Sequence, residues 1–309
     1  MNNGQTILFL NAPAKALSSC MTGLSLWRIL KRSTRFRYVY ALSETMDRLL
    51  DTAHEVGAAA ILNNHLSIIP EWFTTSPVRA AGLKQAAFLT HGMAFALPGF
   101  DAYLVPDPRL PRNGNVWGIG RPLPAATIKP WVRHEVPVIG TAGHLLPHKD
   151  FPATVARVIR EFDRAHIRIL MSTAEMAPFD LPDAHQCQDL VTKCGKPIDL
   201  EIETRPMPID QLTEWLAEND LNVYLYAPGT GGPAPAMSPD VALAARRPIA
   251  VTKNASGLGL FHGLTPSVCV EDSNLRTILK NGIAPLAPLY ERFSDDRVLA
   301  DVEAVLATL

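Results

Sequence analysis

The chain has 309 residues, of which 47% are hydrophobic and 19% are charged, and its formal net charge is −1. This near-neutral, globular composition excludes a general electrostatic attraction to nucleic acid or to a membrane, so a charged partner must be bound by a local site. The four cysteines form no C-x-x-C pair, no secretory leader is visible, and no apolar run approaches the roughly 18 residues that cross a bilayer. We therefore expect a cytoplasmic protein.

The first half of the chain predicts strands and helices in an irregular rhythm. Strand-like segments are TILFLN, RYVYALS, AAAILN, QAAFLTH and DAYLVP, and helical periodicity occurs near 22–32 and 44–56. The segment 107–130 is rich in Pro and Gly and has no period, so we interpret it as the passage between two domains.

The second half alternates more regularly. Strand-like segments are VPVIG (136–140), IRILMS (167–172), DLEIE (199–203), LNVYLY (221–226), PIAVT (248–252) and PSVCV (266–270). Helical faces are marked by Val155, Val158, Ile159 and Phe162, by Ile209, Leu212, Trp215 and Leu216, and by Leu275, Ile278 and Leu279, with a further helix near 239–246. Asp272 or Ser273 can cap the helix that carries Leu275, and Gly282 lies at its C-terminal end.

Strands that alternate with single helices predict right-handed crossovers and a parallel sheet that is covered on both faces. The expected fold class is α/β, with two Rossmann-like doubly wound domains that face each other across a cleft. We expect the first domain at 1–128 and the second at 129–309, and the last helix could pack back on the first domain.

Ligands of such sheets bind beyond the carboxyl ends of the strands, which directs attention to VIGTAGHLLPHKDF at 138–151. Gly140 and Gly143 allow a tight turn and a close approach of backbone N–H groups. Lys149 stands before a helix whose amino end is partially positive, and His144 and His148 lie nearby. This combination indicates a diphosphate site, although a plain strand-to-helix turn with a solvated lysine would have the same residues. The Walker pattern is absent.

A second loop, YAPGTGGPAPAMSPDVALAARRPIAV, also runs from a strand through a glycine-rich turn to a helix and a strand. Its glycines Gly229, Gly231 and Gly232 permit close backbone approach, and Thr230 and Ser238 supply hydroxyls. Asp240 can cap the helix or accept hydrogen bonds from a ribose diol.

These two segments resemble a known family. IGTAGHLLPHKDF followed by an amphipathic helix resembles the phosphate loop of GT-B glycosyltransferases, and SPDVALAARRPIAV is similar to their helix-then-strand signature. The tail from PSVCVEDSNL onward looks like the closing segment of bacterial, retaining members that build surface polysaccharides. The resemblance covers residues 136–309 well and the first 130 residues weakly.

The resemblance implies transfer of a sugar from a nucleoside-diphosphate sugar to a glycan or lipid-linked acceptor, without a metal ion, with retention of configuration and with no cofactor besides the sugar nucleotide. It places the phosphate-binding lysine at Lys149 and a histidine directed at the donor sugar at His91, which could instead satisfy loop carbonyls. The implied substrate-binding residues are Gly143, His144, Thr230, Gly231, Gly232, Ser238 and Asp240. The arginine of the family falls on His144, and its donor-sugar glutamate falls within GTGG.

Other polar residues are weaker candidates. His65, with Asn63 and Asn64, ends another strand and could meet an acceptor. Lys15, Ser18 and Ser19 lie in the first loop and could contact phosphate or hydroxyls, or be simply solvated.

The stretch WRILKRSTRFRYVY carries five cations and no acid: Arg28, Lys31, Arg32, Arg35 and Arg37. Residues 27–38 could rest on anionic headgroups at the inner membrane or meet a lipid-diphosphate acceptor, or form an ordinary solvated helix face.

The chain has no D-x-D, no G-x-S-x-G and no G-x-G-x-x-G, so a GT-A transferase, an α/β-hydrolase and a standard nicotinamide enzyme are not indicated. Two alternatives to a transferase stay open: a nucleotide-sugar epimerase on the same fold, and a non-catalytic sugar-nucleotide-binding or scaffold subunit. A nucleic-acid partner is not expected.

Overall fold

The structure is a computed structural model that describes residues 4–12, 17–64, 72–89, 99–126, 130–144, 146–172, 182–227 and 237–309. The described residues form two compact units. The first comprises residues up to Leu123 together with Leu289–Leu309, and the second comprises the residues from Pro124 to Pro288.

Eleven strands are found in the described residues. They are β1 (Thr6–Leu10), β2 (Arg37–Ala41), β3 (Ala58–Asn63), β4 (Lys84–Phe88), β5 (Ala102–Val105), β6 (Val116–Gly118), β7 (Val138–His144), β8 (Ala165–Ser172), β9 (Ile198–Glu203), β10 (Leu221–Tyr224) and β11 (Ile249–Val251).

The same part of the chain contains ten α-helices and three 3₁₀ turns. The helices are α1 (Leu17–Leu30), α2 (Met46–Glu55), α3 (Thr75–Ala80), α4 (Phe151–Glu161), α5 (Pro182–Lys193), α6 (Ile209–Ala217), α7 (Met237–Ala244), α8 (Leu275–Asn281), α9 (Ala287–Arg292) and α10 (Asp295–Leu306). The 3₁₀ turns are Pro147–Lys149, Ser256–Phe261 and Ala284–Leu286. No helix in the described ranges is long and apolar enough to span a bilayer.

Each unit has one parallel sheet, which confirms the predicted α/β class. The strand order is β2-β1-β3-β4-β5-β6 in the first unit and β11-β10-β7-β8-β9 in the second. The order reverses between β1 and β3 in one sheet and between β7 and β10 in the other. Ligands of doubly wound sheets bind beyond the carboxyl ends of the strands at such reversals.

The first sheet is buried on both faces, as a short continuous apolar strand requires. Ile7 and Phe9 of β1 point into a core that includes residues of α1 and α10, whereas Leu8 and Leu10 point into the opposite core with residues of α2. The last helix, α10, thus completes one face of the first sheet through Val298, Val302 and Val305.

The structure corrects four details of the predicted elements. The stretch 107–130 contains the short strand β6, and α5 was not predicted from its mixed sequence. The predicted strand 266–270 makes only an isolated bridge from Cys269 to Val251. The N-cap of α8 is Asn274, whose side chain accepts from Thr277 N. Asp272 does not cap this helix because its carboxylate binds Ser267 and Lys253.

Candidate functional site

The carboxyl end of β7 does not form the glycine turn that the sequence predicts. Gly140 and Gly143 both lie within the strand, and neither has a positive φ. Gly140 is needed for packing, because a Cβ there would stand 1.9 Å from Asn219 Nδ2. A Cβ at Gly143 would lie 3.4 Å from Cδ and Cε of Lys149 and 3.6 Å from Ser238 Oγ. Only Gly143 therefore borders the predicted ligand site.

The amino end of α4 differs from the predicted phosphate cradle. Asp150 adopts a left-handed conformation (φ 44°, ψ 54°) and its carboxylate accepts from Ala153 N at 3.2 Å. Pro152 has no N–H to offer. An acid therefore already caps this helix end, which opposes binding of an anion there, and the positive charge of the site comes instead from Lys149.

Lys149 is buried at the end of the 3₁₀ turn, with 9% of its surface exposed. Its Nζ donates to Tyr226 Oη at 2.6 Å and lies 3.9 Å from the centroid of the Tyr226 ring. Within the described part of the chain, Lys149 forms no ion pair with a carboxylate. Burial lowers its pKa to about 8, so that most Lys149 side chains carry a charge at pH 7. A buried cation of this kind favours a bound anion.

Tyr226 follows β10 and is held on several sides. Thr252 Oγ1 accepts from Tyr226 N at 3.1 Å and donates to Tyr226 O at 3.2 Å, and the Ser238 side chain hydrogen-bonds the phenol. Burial raises the pKa of Tyr226, and the charge of Asp240 raises it further, so the phenol is neutral at pH 7. Tyr224, also buried, donates from its Oη to Ser238 O at 3.2 Å.

The two histidines of the loop add hydrogen-bonding groups and no fixed charge. Burial lowers the pKa of both His144 and His148, and the nearby Lys149 charge lowers each pKa further. His144 Nδ1 is 3.3 Å from Ser172 Oγ. The His148 ring packs edge-on against Tyr226, and His148 O accepts from Ala227 N at 2.9 Å. Both rings are therefore neutral at pH 7.

The structure brings together a subset of the predicted site residues, namely Gly143, His144, Lys149 and Ser238, with Asp240 close enough to affect Tyr224 and Tyr226. They lie at the carboxyl end of β7 or in the segments that follow β7 and β10, at the strand-order reversal of the second sheet. Tyr224 and Tyr226 were not predicted as site residues, although the alternation in LNVYLY places both on one side of the strand next to the loop. Other predicted residues lie outside the described residues: His91, Thr230, Gly231, Gly232, Gly229, His65 and Lys15.

Asn63 and Asn64 are not surface groups that could meet an acceptor. Both are buried, and Asn64 Nδ2 donates to Asn11 Oδ1 at 2.7 Å and to Ser19 O at 2.9 Å. Asn11 Nδ2 in turn donates to Tyr40 Oη at 3.0 Å. The network fastens the start of α1 to the ends of β1 and β3. Asn64 therefore has a packing role.

The basic stretch 27–38 is partly neutralised by α10. Arg28 and Arg32 both bind Asp295, and Arg32 also binds Asp296. Lys31 and Arg37 are exposed and line a cavity of about 470 Å³ together with Trp27, Phe36 and Tyr38, among others. Fewer free charges are therefore available than the sequence indicates.

Two parallel, doubly wound sheets in two units are the sheets expected of a GT-B fold, and solved structures of glycosyltransferases resemble this one. Anabaena HepE, in a crystal structure with UDP and glucose, is 12% identical, with 99% of this chain and 100% of that chain covered and a TM-score of 0.67. A glycosyltransferase from Rickettsia africae is 11% identical, with coverage of 99% and 93% and a TM-score of 0.60. The lipopolysaccharide outer core galactosyltransferase WaaB is 13% identical, with coverage of 98% and 99% and a TM-score of 0.60. No protein-family model and no curated protein matches the sequence. The likeness confirms the predicted GT-B fold.

Proposed function

We propose that the protein is a glycosyltransferase that moves a sugar from a nucleoside-diphosphate sugar to a glycan or lipid-linked acceptor. The GT-B fold is the first support, because the structures it resembles include two proteins described as transferases and one that holds UDP and glucose. The second support is the chemistry of the second unit beyond the carboxyl ends of β7 and β10.

Lys149 is the observation that carries the proposal. Cleavage of the bond at the anomeric carbon leaves negative charge on the departing diphosphate. A buried ammonium that has no carboxylate partner among the described residues can stabilise this charge more strongly than a solvated lysine would. We assign to Lys149 the charge stabilisation that a divalent cation provides in other transferases.

The remaining site residues complete the proposed donor site. Asp240 accepts hydrogen bonds from the ribose diol, Ser238 and the His144 ring offer hydrogen bonds, and Gly143 leaves room beside the lysine. His91, Thr230, Gly231 and Gly232 lie outside the described residues; we propose for them contacts with the sugar and the β-phosphate, as the sequence resemblance implies. We also propose retention of configuration and no cofactor besides the sugar nucleotide, as the sequence resemblance implies.

Peripheral contact with anionic lipid through residues 27–38 is part of the proposal for a lipid-linked acceptor. Its support is that Lys31, Arg35 and Arg37 have no carboxylate partner within the described ranges. Flotation with phosphatidylglycerol vesicles tests it: the double variant Lys31→Glu, Arg37→Glu should lose binding, whereas Lys84→Glu, another exposed lysine, should not. Equal flotation of both variants would exclude this contact.

Thermal unfolding with UDP, GDP, ADP, CMP and dTDP tests the donor site. A nucleotide at 100 times its dissociation constant should add roughly 2.7 kcal/mol of stability, and Lys149→Ala should lose most of this shift. If none of the five nucleotides stabilises the protein, or if Lys149→Ala retains the full shift, the proposed donor site is wrong.

Turnover separates a transferase from the two alternatives. The protein is given a nucleotide sugar that contains the stabilising nucleotide, together with an extract that contains glycan or lipid-linked acceptors. A transferase then releases nucleotide in proportion to the amount of extract added. An epimerase converts the donor with no acceptor present, and a non-catalytic subunit binds the nucleotide and releases nothing.

A further inference from the structure

One buried phenol holds the ammonium of Lys149. Nζ lies 2.6 Å from Tyr226 Oη and 3.9 Å from the ring centroid, which places it over the hydroxyl end of the ring. The lysine thus contacts both an oxygen lone pair and the negative face of the aromatic ring.

We propose that Tyr226 is the positioning residue of the phosphate-binding lysine: it keeps the Lys149 ammonium charged and directed at the diphosphate, and it connects this charge to the start of α7 through Ser238. The inference rests on the proposed function, and it names a role for a residue that neither the sequence motifs nor the fold assigns.

Electrostatics explains why the lysine needs such a partner. Burial lowers the pKa of Lys149 to about 8 and so disfavours its charged form, and the neighbouring His144 and His148 are neutral at pH 7 and compensate nothing. An oxygen that accepts a hydrogen bond from the ammonium favours the charged form. Among the described groups around the phenol, Asp240 supplies negative charge and Tyr224 a second neutral hydroxyl. Tyr226 is the group among these that touches Nζ.

The geometry also leaves the Lys149 ammonium able to bind a diphosphate. An ammonium group has three N–H donors. One is directed at Tyr226 Oη. The other two bond no acceptor among the described residues, so we propose that they bind the oxygens of a diphosphate. A carboxylate in the place of Tyr226 would compete with the phosphate, whereas a neutral phenol orients the ammonium without cancelling its charge.

The backbone of Tyr226 is fixed by hydrogen bonds that do not involve Lys149 or a nucleotide. Thr252 hydrogen-bonds both its N–H and its C=O, so the ring has a defined place before any nucleotide arrives. Ser238, in the first turn of α7, contacts the same phenol, and α7 also carries Asp240. One tyrosine therefore joins the phosphate-binding and the ribose-binding parts of the proposed site.

Tyr226→Phe is the direct test, because it keeps the ring and removes only the oxygen. Tyr224→Phe is the matched control: it also removes a buried phenolic oxygen, but that oxygen bonds Ser238 O and not the lysine. The first measurement needs no nucleotide. Titration of Lys149 in the free protein, by NMR of selectively ¹³C-labelled lysine, should show a midpoint lower by roughly one pH unit in Tyr226→Phe and unchanged in Tyr224→Phe.

The second measurement is the affinity for UDP, or for whichever of the five nucleotides stabilises the wild type, between pH 6.5 and 8.5. Since the ratio of the protonated fractions of Lys149 in the wild type and the variant increases with pH, the penalty of Tyr226→Phe should grow from almost none at pH 6.5 to about eightfold at pH 8.5. A merely structural role would weaken binding by the same factor at every pH.

The two measurements separate the inference from the proposed function. An unchanged Lys149 midpoint in Tyr226→Phe, or a penalty that does not vary with pH, overturns the role of Tyr226 even when UDP binds and Lys149→Ala abolishes binding. If none of the five nucleotides binds the wild type, the donor site fails, while the NMR midpoint still decides whether Tyr226 keeps Lys149 charged.

Discussion

Lys149 and Asp150 are neighbours in the chain, yet their side chains serve different elements. The ammonium of Lys149 binds Tyr226 beyond β10, whereas the carboxylate of Asp150 caps α4 through Ala153 N. The left-handed conformation of Asp150 accompanies this divergence. Because the acid is committed to the helix, it does not form an ion pair with the lysine beside it.

The burial of the charged Lys149 side chain should lower the free energy of unfolding of the ligand-free protein, and binding of the proposed diphosphate ligand should raise it again. Its pKa is about 8 in the folded protein against a usual value of 10.5, so below pH 8 both states are charged and the full cost is present. Between these two values the unfolded chain binds more protons, and the free energy of unfolding rises with pH. We expect Lys149→Met to be more stable than the wild type at pH 7 by up to about 3 kcal/mol and to lack this rise.

Urea unfolding at pH 7 and pH 9.5 measures the effect. Lys193→Met is the control, since Lys193 is exposed and pairs with Asp189 on the same helix. A Lys149→Met variant that is less stable than the wild type at pH 7 would show that the lysine is well satisfied without a ligand.

The two glycines of β7 should respond differently to an added methyl group. Gly140→Ala must displace Asn219, which binds Asn222 and Arg168, so we expect a loss of about 2–4 kcal/mol in the free energy of unfolding. Gly143→Ala meets ordinary contact distances and should cost less than about 1 kcal/mol, but it should weaken UDP binding because the methyl group stands between Lys149 and Ser238. Equal unfolding midpoints for the two variants would contradict this distinction.

Gly23 lies inside α1 where that helix meets the asparagine pair. A Cβ would stand 1.8 Å from Asn11 Oδ1 and 2.2 Å from Asn64 Nδ2. Helix propensity alone would make Gly23→Ala stabilising by roughly 0.5–1 kcal/mol, whereas the clash should make it destabilising by about 2–4 kcal/mol. Thermal unfolding decides the sign. Gly263→Ala, which has open space around it, should change little.

Asp295 should fasten α10 to α1 while its neighbour Asp296 does not. Asp295 binds Arg28 and Arg32, and the hydrogen bond from Arg28 is the largest influence that lowers its pKa. Asp296 has an 84% exposed side chain. We expect Asp295→Asn to lose about 1–2 kcal/mol at pH 7 and Asp296→Asn almost nothing. Since the contribution of Asp295 exists above its unfolded pKa and is lost as pH falls through its folded pKa, the Asp295→Asn variant and the wild type should converge toward pH 3.

The sequence could predict the elements whose signal is local. TILFL is an almost continuously apolar run, and apolar residues recur every three or four positions along α4. Both elements could therefore be predicted from their own residues. α5 was not predicted because Cys187 is its one buried residue and its other residues show no apolar period. β6 was missed because three residues cannot show a period.

The site was less predictable because its contacts are not local. Lys149 and Asp240 carry recognisable chemistry, but the partner of Lys149 is 77 positions away, and a tyrosine in LNVYLY is typical of a strand core. The spacing of Gly140 and Gly143 suggests a loop. The structure shows instead that Gly140 lies in a strand and that the Asn219 side chain fills the space where a Cβ would be. The sequence shows an acidic residue at position 150, but it does not show that this residue caps the amino end of α4.

The membership of α10 in the first sheet's core has a consequence for biosynthesis. A ribosome makes the strands of that sheet before the second unit, yet Val298, Val302 and Val305 leave the exit tunnel only after the second unit has been made. During synthesis, the face of the first sheet that α10 covers must therefore stay exposed. The second unit does not need α10 and can fold before the first unit is complete. A premature stop codon near residue 290 would spare every strand of that sheet, the last of which ends at Gly118, and still leave a chain destined for chaperones or proteases.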